Sequence, residues 1–464
     1  MCYTLPKIWT GRISKYWDQI IPSGYPVSSS KFSLTYETQE IRDAVLEMEN
    51  QIGSDESVVV NMLPEDTYAS GYIGTYDVVA EPGVKTLLSP NKVSTDNVVV
   101  MHYDGENWNN VEDVEVKDGY VWGTLDSFSP VAIFEYRKEI HEVEAVNGLK
   151  SVGNIVCEGN SVMITMNDNN NPVVTNISSG KTIEITKENM YVVGGSVDGS
   201  YVGHTSVSAK GINAKDKLTK IIAGSVYTDE GFIECGNINL YAVDCPVLAP
   251  FTGSFGAVRT QEFNIRLSNV KTPWFGCGEG FKDVGTADAS FAGRDWLKRA
   301  NYRLDNVETE LAYLGQNCEY FYVGETHAVV NGGKYYYFIL GGSNSNTGVT
   351  SAEVNDAEIT IFQTTNRGNV ADATAKFKGC TIENLFVGGD ATDATVTGTT
   401  TKFRYEIVGA EGDSYNIVNG TEAGKLLTAE DAERIVDIIK VSKTANVTID
   451  DELVNILGNK YVIK

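Results

Sequence analysis

Apolar residues along the chain fall mostly into short alternating runs broken by Gly, Asn and Asp. That is the pattern of strands and tight turns rather than of long helices. One segment differs. Ile41, Val45, Met48 and Ile52 recur at spacings of four, three and four, and Gly53 follows as a C-cap. This predicts a helix over residues 37–52, within a segment 36–56. Its narrow stripe suits either a core-facing helix or a short intersubunit coiled coil. Beyond it, Ser57–Asn61, Ser70–Val78, Asn97–Tyr103, Gly119–Leu125 and Val131–Tyr136 read as strands of a small antiparallel β module over 57–145. Asp104-Gly105 and Asp118-Gly119 are its hairpin-turn dipeptides.

From 146 to 420 the pattern repeats. Asn264-Ile-Arg-Leu-Ser-Asn-Val-Lys-Thr272 recurs as Asn301-Tyr-Arg-Leu-Asp-Asn-Val-Glu-Thr309, an offset of 37 residues. Looser copies pair an apolar residue with another five positions on: Val207 with Ile212, Ile238 with Val243, Phe377 with Ile382. Units end in an apolar run and Gly, as in Tyr191-Val-Val-Gly-Gly195, Ile221-Ile-Ala-Gly224, Phe338-Ile-Leu-Gly-Gly342 and Leu385-Phe-Val-Gly-Gly389. The starting residues 207, 238, 265, 302 and 377 imply one skipped unit near Tyr336–Leu340. A strand–turn–strand unit of this size cannot bury its own apolar face, so several must stack. The expected fold is mainly β: the small N-terminal module, then a right-handed parallel β-helix-like solenoid, then a small α+β C-terminal cap over 421–464. The stretch Phe281–Arg303 is expected to bulge as a loop or short helix. In the cap, Thr428 is an N-cap for a helix bearing Ala432, Ile435, Val436 and Ile439. Strands Glu452–Leu457 and Lys460–Ile463 follow, joined at Gly458-Asn459.

Residues 1–35 pattern as neither helix nor strand. Trp9, Trp17, Ile20 and Ile21 sit among Pro6, Pro22 and Pro26, an apolar set too short and too Pro-interrupted to cover itself. It reads as an extended attachment arm, to be covered by the chain's own helix and β module, by a sister subunit or by an attachment partner.

Composition narrows the functional classes. Gly is abundant at 45 residues, which suits many tight turns. The net charge of −25 opposes nucleic acid, which needs a basic surface. Arg294, Lys298, Arg299 and Arg303 are the only local basic group, and Asp295 and Asp305 dilute it. Seven Cys without a CxxC form neither a zinc signature nor an even disulfide framework and read as buried free thiols. His102, His141, His204 and His327 show no metal-ligand spacing. No nucleophile elbow or P-loop occurs, and Gly276-Cys-Gly278-Glu-Gly280 reads as a turn. No catalytic residue, cofactor or metal is expected. No apolar run is long enough for a membrane-spanning helix, and the first residues lack a signal-peptide core, which favours release by lysis.

Two resemblances follow from these residues. His102-Tyr-Asp-Gly-Glu-Asn-Trp108, Asp118-Gly-Tyr-Val-Trp122 and Asp126-Ser-Phe-Ser-Pro-Val-Ala-Ile133 resemble a small β module of gut-bacterial surface proteins and phage structural proteins. That likeness implies a folded spacer. The Gly-Gly-punctuated repeat resembles phage fibres, tailspikes and bacterial β-helix adhesins. Together they imply a bacteriophage virion appendage of the head-fibre or tail-fibre type, or else a bacterial surface adhesin. A β-helix polysaccharide depolymerase is the third alternative. The resemblance implies location on the virion, or on the cell surface for an adhesin, and a homo-oligomer, most simply a trimer, with the 41/45/48/52 stripe as a seam. Trp274, Phe275, Tyr335, Tyr336 and Tyr337 are candidates for stacking on host glycan, or for packing inside the stack.

Overall fold

The computed structural model describes residues 31–33, 39–51, 62–79, 81–127, 129–213, 216–229, 232–279, 295–315, 322–342, 346–364, 370–387, 402–420 and 426–464. Trp9, Trp17, Ile20 and Ile21 of the expected arm lie outside the described residues, as do Ile52 and the expected strand at 57–61. The chain is mainly β with few helices and divides into two compact units, Met1–Lys138 and Glu139–Lys464.

The first unit holds a five-stranded antiparallel sheet in the order Lys31–Ser33, Thr67–Val79, Ser129–Lys138, Val98–Tyr103, Trp108–Asn110. Lys85–Leu87, Tyr120–Thr124 and Glu115–Lys117 form a second sheet. Period-two alternation assigns the faces. Val99, Met101, Tyr103, Ala132 and Phe134 point to one side, where Val45 and Met48 of the Gln39–Gln51 helix pack on them. Val100, Val131 and Ile133 point to the other side, against Val78, Leu88 and Val121. The helical stripe is therefore buried within its own chain at Val45 (4%) and Met48 (1%), and the expected intersubunit seam is corrected. Asp118 and Gly119 both take positive φ (54° and 79°) between the paired Lys117 and Tyr120, as a two-residue hairpin turn requires.

In the second unit, successive passes of the chain pair side by side in parallel. Val202–Lys210 lies against Ile233–Cys245, then Val258–Phe275, Asp295–Tyr313 and Tyr322–Ile339. Asn346–Asn355, Val370–Lys378, Lys402–Val408, Val436–Val441 and Tyr461–Ile463 continue the ladder. A companion ladder runs through Glu358–Gln363, Thr381–Val387, Ser414–Asn419 and Val447–Ile449. The parallel pairing continues past residue 420 without a break. Near the start of this unit, His141–Val143, Pro172–Asn176 and Thr182–Glu184 add antiparallel pairings.

The sequence repeat is the register itself. Asn264 pairs with Asn301, and Thr272 with Thr309. The looser copies slip. Tyr302 pairs with Ile265 and Ala328, and Ala328 leads to Ala352 and Ala375. Ile238 and Phe377 are thus two residues off this column, and two passes, not one, separate those at 302 and 375. Residues i and i+2 both face inward, so apolar matching alone cannot detect a two-residue slip.

One corner repeats in seven consecutive passes. Gly211, Asp244, Asn269, Asn306, Gly332, Asp356 and Gly379 all take φ between 51° and 68°. Only Gly, Asn and Asp occupy this left-handed position, as sterics require. Asn269 and Asn306 also link passes: Asn269 Nδ2 donates to Asp244 Oδ1 (2.9 Å) and Asn306 Nδ2 to Asn269 Oδ1 (3.0 Å). The Gly-Gly punctuation has a different cause. A Cβ on Gly194 would lie 2.1 Å from the Ala223 carbonyl oxygen, and one on Gly224 2.8 Å from that of Gly253. Close approach between passes excludes a side chain there.

Three local expectations are corrected. Asp295–Tyr313 is a strand, so the bulge does not extend to Arg303. The helix after Thr428 ends at Ile435, and the β-branched run Val436–Val441 joins the ladder. Glu452–Leu457 is helical: Asp450 Oδ1 caps the amide of Glu452 at 2.7 Å, and Leu453 and Leu457 are buried one turn apart. Gly458 ends that helix with φ 54° instead of making a hairpin.

Candidate functional site

A groove of about 660 Å³ crosses six adjacent segments of the second unit. Its walls come from strand alternation. Lys271, Glu308, Lys334, Glu358 and Thr381 stand in register at one outward position. The next residue of each segment points inward: Thr272, Thr309, Tyr335, Ile359 and Ile382. The residue after that points out again, giving Pro273, Glu310, Tyr336, Thr360 and Glu383 as the second wall. Val247–Pro250 closes one end, held by the Leu248 amide on the Lys271 carbonyl and by Thr272 Oγ1 donating to the Ala249 carbonyl. At a strand spacing of ~4.8 Å the groove runs about 24 Å across the strands.

The first wall neutralises itself. Lys271 pairs with Glu308, and Lys334 Nζ meets Glu358 Oε2 at 2.8 Å. That hydrogen bond holds the Lys334 ammonium above its ordinary pKa. The second wall carries the uncompensated groups. Among the described residues, the side-chain carboxylates of Glu310 and Glu383 have neither an ion-pair nor a hydrogen-bond partner, though the Glu383 backbone carbonyl accepts from Asn416 Nδ2 at 3.0 Å. Tyr336 stands between them in sequence order of the passes, 52% exposed, its ring edge-on to Tyr337 at 4.9 Å.

The aromatic candidates separate sharply. Phe275 (0% exposed) and Tyr335 (2%) are core residues and cannot meet a ligand, which corrects the expectation for them. Phe275 stacks flat on Phe251, with centroids 5.4 Å apart, and Tyr335 packs edge-on against Phe338 at 5.3 Å. Burial pushes the Tyr335 hydroxyl's pKa up. Trp274, half-buried, faces the ammonium of Lys220 at 5.0 Å, beside Tyr191 and Phe255 and with Glu279 as its ion-pair partner. It serves an internal cage. Strand alternation would place Tyr335 and Tyr337 on one face and Tyr336 and Phe338 on the other, and it breaks after Tyr336. The order buried, exposed, half-buried, buried recurs at Thr272–Phe275, so the break belongs to the bend shared by the passes.

The remaining chemistry is structural. The five described cysteines, Cys157, Cys235, Cys245, Cys277 and Cys380, are buried free thiols. Burial pushes Cys277 up to about 12. Among the described residues no group of His, Cys, Asp and Glu is arranged to hold a metal ion. Of the basic group, Arg299 donates to Glu325 and Arg303 to Asp305.

Sequence reasoning missed Glu310, Glu383 and the Lys/Glu wall. Part of that signal was present. The repeat aligns Val270-Lys271-Thr272 with Val307-Glu308-Thr309, which already places a Lys beside a Glu on adjacent passes. The chain matches no family model, no curated protein and no solved structure.

Proposed function

We propose that the chain is a structural and binding protein whose second unit is a right-handed parallel β-helix with a glycan-binding groove on its flank. In this reading it is an appendage of a bacteriophage virion, a head fibre or tail-fibre subunit. Residues 1–35 attach it to a capsid or tail protein, and copies associate laterally, most simply as trimers. The observation that carries the binding role is the groove itself. It is elongated, crosses several passes, and offers an exposed Tyr336 among polar and charged side chains, which suits one face of a sugar ring and the hydroxyls around it.

The two unpaired carboxylates of the groove lend no support to hydrolysis. Glu310 and Glu383, the unpaired carboxylates, are three strand spacings apart, about 14 Å, beyond the roughly 5–9.5 Å separation of glycosidase pairs. Glu308 stands nearer to Glu310 but is paired with Lys271.

Antibody against the purified protein is expected to label particles from lysed cultures and to leave intact uninfected cells unlabelled. Labelling of the cells alone would favour the adhesin reading. Release of reducing ends from host glycans by the wild type, lost in Glu310→Gln, would favour the depolymerase. Light scattering that returns a stable 50.6 kDa monomer at micromolar concentration would overturn the oligomer.

A further inference from the structure

The groove's charge arrangement narrows its ligand, granted the glycan-binding reading above. Four carboxylates and two ammonium groups line it: Glu308, Glu310, Glu358 and Glu383 against Lys271 and Lys334. The two lysines are each taken by a carboxylate of their own wall. The surplus is two carboxylates, both on the wall that carries Tyr336. A uronic acid or phosphate-bearing chain would meet this surplus on a molecule already at −25. A neutral chain would leave it unused.

We infer that the groove takes a polyhydroxylated chain carrying free amino groups: a glycan with unacetylated amino-sugar units. One sugar ring lies on Tyr336. Protonated amines along the chain reach Glu310 on one side of that ring and Glu383 on the other. The in-register stacking makes this possible, because inward positions 309, 335, 359 and 382 align and carry the residues that follow them into one row. Glu310 and Glu383 are thereby held about 14 Å apart on a rigid wall, a span that a single monosaccharide cannot bridge and a short oligomer can. The walls are already ordered by the ladder, so binding requires little reorganisation of the protein.

Calorimetry on the full chain tests this with glucosamine hexamer, its fully N-acetylated counterpart and an oligogalacturonate. The amine-bearing hexamer is expected to bind at least about tenfold tighter than the acetylated one, and to weaken as salt rises from about 50 to about 500 mM. Glu310→Gln and Glu383→Gln should each weaken it several-fold. Glu411→Gln, the same charge change at an exposed site outside the groove, should leave it unchanged and so exclude general attraction to an acidic protein. Tyr336→Ala should weaken both hexamers. Equal binding of the two hexamers, still lost in Tyr336→Ala, would overturn the amine inference while leaving the glycan groove standing. Tighter binding of the galacturonate would also overturn it. An equal loss in Glu411→Gln would overturn the amine inference, and binding of none of the three would overturn it together with the glycan reading. Tighter binding of an oligolysine peptide than of the glucosamine hexamer would reassign the groove to a basic peptide.

Discussion

Single residues hold the passes in register through backbone shape and amide ladders. Asn306 does both, with φ 54° and a bond to Asn269. Asn306→Ala should destabilise by about 1–2 kcal/mol, combining a left-handed backbone penalty with a lost hydrogen bond. Asn306→Gly should cost less than Asn306→Ala, because glycine keeps the φ; chemical denaturation of the two variants checks the order. A second ladder inside the same passes couples to acid. Asn331 Nδ2 donates to Asp305 Oδ1 at 2.7 Å, and this bond, aided by Arg303, holds the Asp305 carboxyl below its ordinary pKa. A lowered carboxyl stabilises the folded chain above its unfolded value and loses that contribution as pH falls through the folded one. The melting temperature should therefore hold above about pH 5 and fall below about pH 4. Asn331→Ala should flatten that acid limb, and a limb unchanged in this variant would exclude Asp305 as a cause. In the core, Cys277, buried and pushed up to about 12, should resist thiol reagents at neutral pH until the chain is denatured.

At the scale of elements, the C-terminal helix shows what local pattern can and cannot specify. Asp450, Asp451 and Glu452 crowd the start of Asp451–Leu457, and Asp450 caps it. Asp450→Ala should cost about 1 kcal/mol, measured by thermal melting, and Asp450→Asn should recover most of it. The strand reading of 452–457 failed because six residues satisfy both periods; the acidic N-terminal cluster was the discriminating signal. The helix over 39–51 was legible because Ile41, Val45 and Met48 recur at helical spacing within it. The antiparallel module was legible for the same reason, with two faces marked by alternation at Val98–Tyr103 and Val131–Phe134. The groove was not. Its walls join residues from segments 23 to 37 positions apart, and only the pass at 271 and its partner at 308 align by sequence. Exposure of Tyr336 and burial of Tyr335 depend on which parity faces inward, and a run of three tyrosines does not encode that.

The whole molecule is two units with separate cores. The clusters around Val45, Phe134 and Ile133 contain residues of the first unit only. The large core from Ile140 to Leu457 contains residues of the second only. Each unit therefore buries its own apolar surface, the dominant favourable contribution to folding. Unfolding of the full chain should show two transitions by calorimetry, because cooperativity follows shared packing. Residues 139–464 expressed alone should retain a strand-type circular dichroism spectrum and one transition close to that of the same unit in the full chain. Within that fragment, neighbouring passes share one continuous aromatic and aliphatic interior: Phe338 stacks on Phe362 at 5.6 Å, and Phe362 meets Phe377 at 4.8 Å. Phe362→Ala removes contacts with both neighbours and should cost about 3–5 kcal/mol. If the passes behave as a stacked array, that loss should reach beyond its own pass. Hydrogen exchange should then rise in Tyr322–Ile339 and Val370–Lys378 and remain protected in Val98–Tyr103. Exchange confined to Glu358–Gln363 would show that each pass is held by its own local bonds, and would count against the stacked-array reading.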